Sequence, residues 1–235
     1  MLKRIILFFI TFYLVNNFAY SQRTTDFGIL LGRSYYLGEV NPKRHHGEGV
    51  GSFTIGAMLR RNLNERYSIK ANLNRTTLRA EDEVVDFAFN QIRNASFETK
   101  LTEFSASIEF NFLPYRNGTK KGFTPYIFVG ASMVWYNPET FVNGVEVVTE
   151  ETDSKSSLAL PFGPGFRLSL GNKVSLGFEW GFRRTNNDFI DGLPNLKNDI
   201  QELSKEYDTD WFVVTGFTLT YRISKVGKCP YYYGF

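Results

Sequence analysis

The chain has 235 residues with 27 Lys and Arg against 24 Asp and Glu, and 17% of it is aromatic, including 23 Phe and 13 Tyr. Balanced charge without a long basic run excludes the electrostatic footprint of a nucleic-acid-binding protein. Beyond residue 21 no apolar stretch approaches the roughly 18 residues of a membrane-spanning helix, so the abundant aromatics point to strands.

At the N-terminus, Lys3 and Arg4 precede the apolar run Ile5 to Val15, and Ala19-Tyr20-Ser21 supplies small residues for a cleavage site. This predicts a secretory signal peptide over residues 1–21 and a mature chain starting at Gln22. No Cys stands near the cut to carry a lipid. Removing Lys3 and Arg4 changes the charge count from 27 against 24 to 25 against 24. The remainder is long enough for a single domain.

Period-two alternation then recurs in eight segments of about ten residues, the pattern of tilted membrane strands. They run from Asp26 to Tyr36, Ser52 to Asn62, Tyr67 to Arg79, Glu103 to Leu113, Thr124 to Tyr136, Ser157 to Leu170, Lys173 to Arg184 and Asp210 to Ile223. The fourth is the clearest: Phe104, Ala106, Ile108, Phe110 and Phe112 share one face, and Ser105, Ser107, Glu109 and Asn111 the other. In the sixth, Pro161 and Pro164 imply a strand end, edge or bulge.

Connections alternate in length. Residues 37–51, 80–102, 137–156 and 185–209 are long, whereas 63–66, 114–123 and 171–172 are short. Bacterial barrels pair long extracellular loops with short periplasmic turns. A soluble β-sandwich alternates in polarity too, but has no reason for this rhythm. The fold class is therefore all-β: a transmembrane antiparallel β-barrel of about eight strands over residues 22–223. It is expected in the outer membrane, against lipid, with both termini periplasmic and residues 224–235 as a periplasmic tail.

The polar faces carry Arg60, Lys70, Glu109, Arg167, Glu179, Arg183 and Arg222. An eight-stranded interior is barely wide enough for its own side chains, and buried ions must be paired. A charge plug is expected, with an ion path selected by Glu109 and Glu179 as its alternative. The only histidines, His45 and His46, adjoin each other in a connection, a weak metal site, and leave no strand-borne base for a serine triad. Neither catalysis nor a cofactor is expected. Leu196, Ile200 and Leu203 have the spacing of a short amphipathic helix over the outer mouth. The three Asn-X-Ser/Thr sites at Asn74, Asn94 and Asn117 are given no role. The tail Cys229-Pro230-Tyr231-Tyr232-Tyr233 holds the only cysteine beside residue types favoured at interfaces.

Several ordered motifs resemble one family: Leu31-Gly32-Arg33-Ser34-Tyr35-Tyr36-Leu37-Gly38-Glu39-Val40-Asn41-Pro42, Pro161-Phe162-Gly163-Pro164-Gly165, Gly181-Phe182-Arg183-Arg184-Thr185 with Asp188-Phe189-Ile190-Asp191, and Cys229-Pro230-Tyr231. Together they are similar to the PorG-like outer-membrane barrels of the type IX secretion system of Bacteroidota. Gly192 departs from the family pattern, which often continues with a second Asp. The resemblance implies a structural role, attaching a periplasmic ring of PorK-like lipoprotein and PorN-like subunits to the outer membrane. It makes Cys229, Pro230, Tyr231, Tyr232 and Tyr233 expected partner contacts, with Cys229 a candidate for an intermolecular disulfide. A small passive porin or surface barrel is the competing expectation.

Overall fold

A computed structural model describes residues 24–37, 51–81, 95–115, 122–142, 145–146, 155–186, 190 and 210–224. Eight long strands and one two-residue strand form a single sheet: β1 (Thr24–Leu37), β2 (Ser52–Asn62), β3 (Tyr67–Glu81), β4 (Ala95–Asn111), β5 (Phe123–Val142), β6 (Val145–Glu146), β7 (Lys155–Ser169), β8 (Val174–Thr185) and β9 (Trp211–Arg222). Long neighbours pair antiparallel in chain order, and β1 pairs with β9, so the sheet closes on itself. β6 only extends the β5 edge. Thr24 and Arg222 lie at the end that also holds the short turns, called here the terminal end. The opposite one is the loop end.

Pairing fixes the barrel's dimensions. Partners followed once round, from Thr25 through Arg61, Ile69, Ile108, Val129, Phe162, Phe182 and Val213, lead back to Tyr35, ten residues along β1. A shear of ten on eight strands means a tilt of about 40° and a backbone radius of about 8 Å. Each residue then adds about 2.5 Å along the axis, and each step to the next strand about 3 Å.

Burial alternates along the strands, as in β2, where Thr54, Gly56, Met58 and Arg60 point in and Phe53, Ile55, Ala57 and Leu59 point out. The outward set includes Ile69, Leu73, Phe104, Ile108, Val129, Phe166, Leu176, Phe217 and Leu219, all well exposed. These residues form an apolar belt about 25 Å tall on the axial spacing above, the height of a bilayer-facing band. An apolar outside around a polar inside is stable in lipid, and closure leaves no unpaired sheet edge there. No helix among the described residues is long and apolar enough to cross a membrane.

Three features depart from the sequence reading. β4 starts at Ala95 rather than Glu103, β5 runs on to Val142, and Pro161 and Pro164 lie inside β7 without a change of register. Pro161 pairs with Arg183 of β8 while pairing to β5 skips residues 160 and 161; Pro164 pairs with Ile127 of β5 while pairing to β8 skips residues 163 and 164. Positions three apart aim their nitrogens at opposite neighbours. Each proline, lacking an N–H, thus interrupts one ladder and keeps the other.

Depth in the belt is measurable. Val129→Arg, near mid-belt, is expected to lower the unfolding free energy in lipid vesicles by about 2–4 kcal/mol, against about 0–1 kcal/mol for Thr102→Arg at the loop-end edge. Reversible denaturant titration of the two variants checks this.

Candidate functional site

The inward faces converge in the lumen, where Glu109 of β4 is the common acceptor. Arg60 of β2 donates to it from Nε at 2.8 Å and Nη2 at 3.1 Å, and Arg167 of β7 from Nη2 at 2.9 Å. The Lys70 ammonium of β3 stands 3.1 Å from Glu109 and donates to Glu179 of β8 at 2.6 Å. Glu179 also accepts from the Tyr126 hydroxyl at 2.7 Å. Arg167 donates to Asn111 at 2.8 Å and lies between the rings of Tyr115 and Tyr126, 5.0 and 4.9 Å from their centroids. Charge-assisted bonds satisfying both oxygens of a carboxylate are what a buried ion needs in a low dielectric.

Small residues make room for these long ones. A Cβ on Gly165 would stand 2.5 Å from Cζ of Tyr126, and one on Gly181 2.8 Å from Cζ of Phe128. Charged side chains thus enter from both sides of the lumen, and glycines of β7 and β8 leave room for the rings of Tyr126 and Phe128 that come from β5.

Smaller clusters flank the central one. Towards the loop end, Arg183 donates to Glu103 at 3.2 Å, as does Asn74 at 2.9 Å. At the terminal end, Asn62 donates to Asp26 at 2.7 Å, and Arg222 lies 3.9 Å from the same carboxylate. Above all of them sits an apolar layer that includes Tyr36, Leu78, Phe97, Leu101, Val134 and Phe212. Ile190, from the β8–β9 connection, is inserted in that layer. Its N–H donates to Asp210 at 2.8 Å, its carbonyl accepts from Thr99 at 2.7 Å, and Tyr36 also donates to Asp210.

Among the described residues the buried charges are Arg60, Lys70, Arg167, Arg183 and Arg222 against Asp26, Glu103, Glu109, Glu179 and Asp210. Five face five, so this set is neutral. Arg60, Lys70 and Glu109 are each at most 1% exposed, which leaves no water-wide passage beside them.

All seven interior residues named from sequence point into the lumen. Arg60, Lys70, Glu109, Arg167 and Glu179 meet in one network, while Arg183 and Arg222 join separate carboxylates. The sequence reading missed Asp26, Glu103 and Asp210. Each is the first residue of an expected segment, in phase with the polar face. Cys229, Pro230, Tyr231, Tyr232 and Tyr233, the His45–His46 pair and the expected helix around Leu196, Ile200 and Leu203 lie outside the described residues. Among those described, no three His, Cys, Asp or Glu side chains cluster as metal ligands.

A family model described as Domain of unknown function (DUF6089) matches residues 3–233. No curated protein matches the chain. Among solved structures it is similar to Ail, the attachment invasion locus protein of Yersinia pestis, at 12% identity and a TM-score of 0.45, over 86% of this chain and 99% of that one. It is also similar to the N-terminal β-barrel domain of Pseudomonas aeruginosa OprF, at 8% identity and TM-score 0.45, over 86% and 100%. The outer membrane enzyme PagL matches at 11% identity and TM-score 0.40, over 83% and 97%.

Two outcomes follow from the packed lumen. Glu109→Gln is expected to cost about 3–5 kcal/mol of unfolding free energy by stranding three cations, and adding Lys70→Met is expected to recover much of it. A double-mutant cycle in denaturant reads both. Reconstituted in planar bilayers, the wild-type barrel is expected to show no ionic conductance steps.

Proposed function

The chain belongs to the family described as Domain of unknown function (DUF6089), and from that premise we propose that it is a structural outer-membrane component of the type IX secretion machinery. In this role it anchors a periplasmic ring of PorK-like and PorN-like subunits. The observation that carries the reading is the packed, neutral lumen. A barrel with a filled lumen is suited to act through its ends, and among the described residues neither a clustered donor set nor a histidine stands on the strands. The ordered resemblance of its motifs to PorG-like barrels supplies the partner.

The terminal end is the periplasmic one on this reading. Its rim exposes Phe112, Leu113, Leu170 and Ile223 around turns carrying Asn64, Arg66 and Lys173. Apolar side chains ringed by polar ones suit a protein contact. Ser224, the last described residue, lies at the same rim, and on this reading Cys229 and the three tyrosines of the following tail contact the ring, with a disulfide to a ring subunit as the covalent form.

Deleting the gene is expected to abolish secretion of type IX cargo, with recovery on complementation. Ring subunits are expected to co-purify with the full chain after mild detergent extraction, and to be lost when residues 225–235 are removed. Non-reducing electrophoresis is expected to show a higher-mass species that Cys229→Ser eliminates. Normal cargo secretion by the deletion strain overturns the reading. Absence of the higher-mass species overturns only the disulfide.

A further inference from the structure

We propose that the outer wall of β1–β3 holds the phosphate of an outer-leaflet lipid headgroup between Arg33 and Arg75. The leaflet assignment rests on the loop end being extracellular, as in the reading above. The geometry of the site does not.

Depth comes first. On the axial spacing of the strands, Arg33 and Arg75 both lie about 20 Å above Thr25, at the loop-end edge of the apolar belt. Just above them the outward residues of β3 and β4 turn polar. Thr77 and Thr102 come first, then the exposed ion pairs Arg79–Glu98 at 3.0 Å and Lys100–Glu139 at 3.1 Å, which belong in water. Trp135 and Trp211 stand about 6–7 Å higher, within reach of an extended arginine side chain, and tryptophans favour the headgroup level. The two arginines therefore sit where lipid phosphates do.

Chemistry comes second. Both side chains are exposed on the lipid-facing wall. Neither forms an ion pair among the described residues, and the nearest outward carboxylates above them on β4 and β5, Glu98 and Glu139, pair with Arg79 and Lys100. Arg33 spends one N–H on the Gly51 carbonyl at 3.1 Å, and among the described residues the rest of its fork has no other acceptor. Arg184 is at a similar height, but it packs over the Trp211 ring at 5.9 Å. Across β2, Arg33 and Arg75 are about 11 Å apart along the wall, a gap that two extended guanidinium side chains span around one phosphate. Between and below them Leu31, Phe53, Ile55 and Leu73 are 43–65% exposed, a surface for the acyl chains of the same lipid. A free anion uses the two cations but not that apolar floor.

The test uses the detergent-purified full chain and lipid A as probe, read by native mass spectrometry. Wild type is expected to retain lipid A, and to bind enzymatically dephosphorylated lipid A with the same acyl chains about tenfold more weakly. Arg33→Gln with Arg75→Gln is expected to weaken lipid A binding by a similar factor. Arg61→Gln, at the opposite edge of the belt, is expected to change nothing. Excess inorganic phosphate is expected not to displace the lipid. Equal binding of the dephosphorylated form, or undiminished binding by the double variant, overturns the proposal, and displacement by inorganic phosphate overturns its lipid source. The heat-dependent electrophoretic shift of folded barrels is read on each variant. If the double variant fails to fold, Arg75→Lys, which keeps the charge without the fork, serves in its place and is expected to bind less tightly. Cargo secretion is scored separately, so failure of lipid binding and failure of the ring reading give different results.

Discussion

Glu109 is the point at which the walls of this barrel are tied together. It sits on β4 and accepts hydrogen bonds from β2 and β7 while lying beside the ammonium from β3. Strand pairing alone closes the cylinder, but it leaves an interior lined by ions that no water reaches. Each such ion costs several kcal/mol to desolvate unless opposite charge is placed around it, and a single acid shared by three cations places it efficiently. The glycines of β7 and β8 follow from the same constraint, since a lumen about 8 Å in backbone radius holds buried arginines together with Tyr126 and Phe128 only where some facing positions are bare.

Much of this was legible in the sequence because a membrane barrel writes its fold as sidedness. Seven interior side chains were readable from phase alone, and β2 coincides with its expected segment. The incompleteness was legible too. Five cations against Glu109 and Glu179 cannot be buried together, so three carboxylates had to be missing. Asp26, Glu103 and Asp210 are those three. Each was passed over because it opens a segment, where a polar residue reads equally well as loop.

The other shortfall has a different cause. Residues 95–102 continue β4 beyond the apolar belt, and there the surroundings of the wall change from lipid to water. Phe97 and Leu101 point inward while Glu98 and Lys100 point outward, the reverse of the pattern that Phe104 and Glu109 set lower down. A reader following one greasy face loses the strand at the point where the greasy face changes sides. The inverted segment behaves like a strand of a soluble protein, burying its apolar side chains in the layer that receives Ile190.

That inversion divides the molecule into two cores with different physics. Within the belt the interior is ionic and the exterior apolar, so cohesion comes from paired charges and from lipid. Above it the interior is apolar and the exterior ionic, so cohesion comes from hydrophobic burial in the ordinary sense. The two meet near Glu103 and Arg183 inside, and near Arg33 and Arg75 outside. A boundary seen on both faces of the wall at one height is set by the membrane surface. Outward arginines at that height are therefore positioned by the same solvent change that turns Phe97 and Leu101 inward. With the lumen filled on both sides of the boundary, the described residues left open to other molecules are those of the wall at its edges and of the rims.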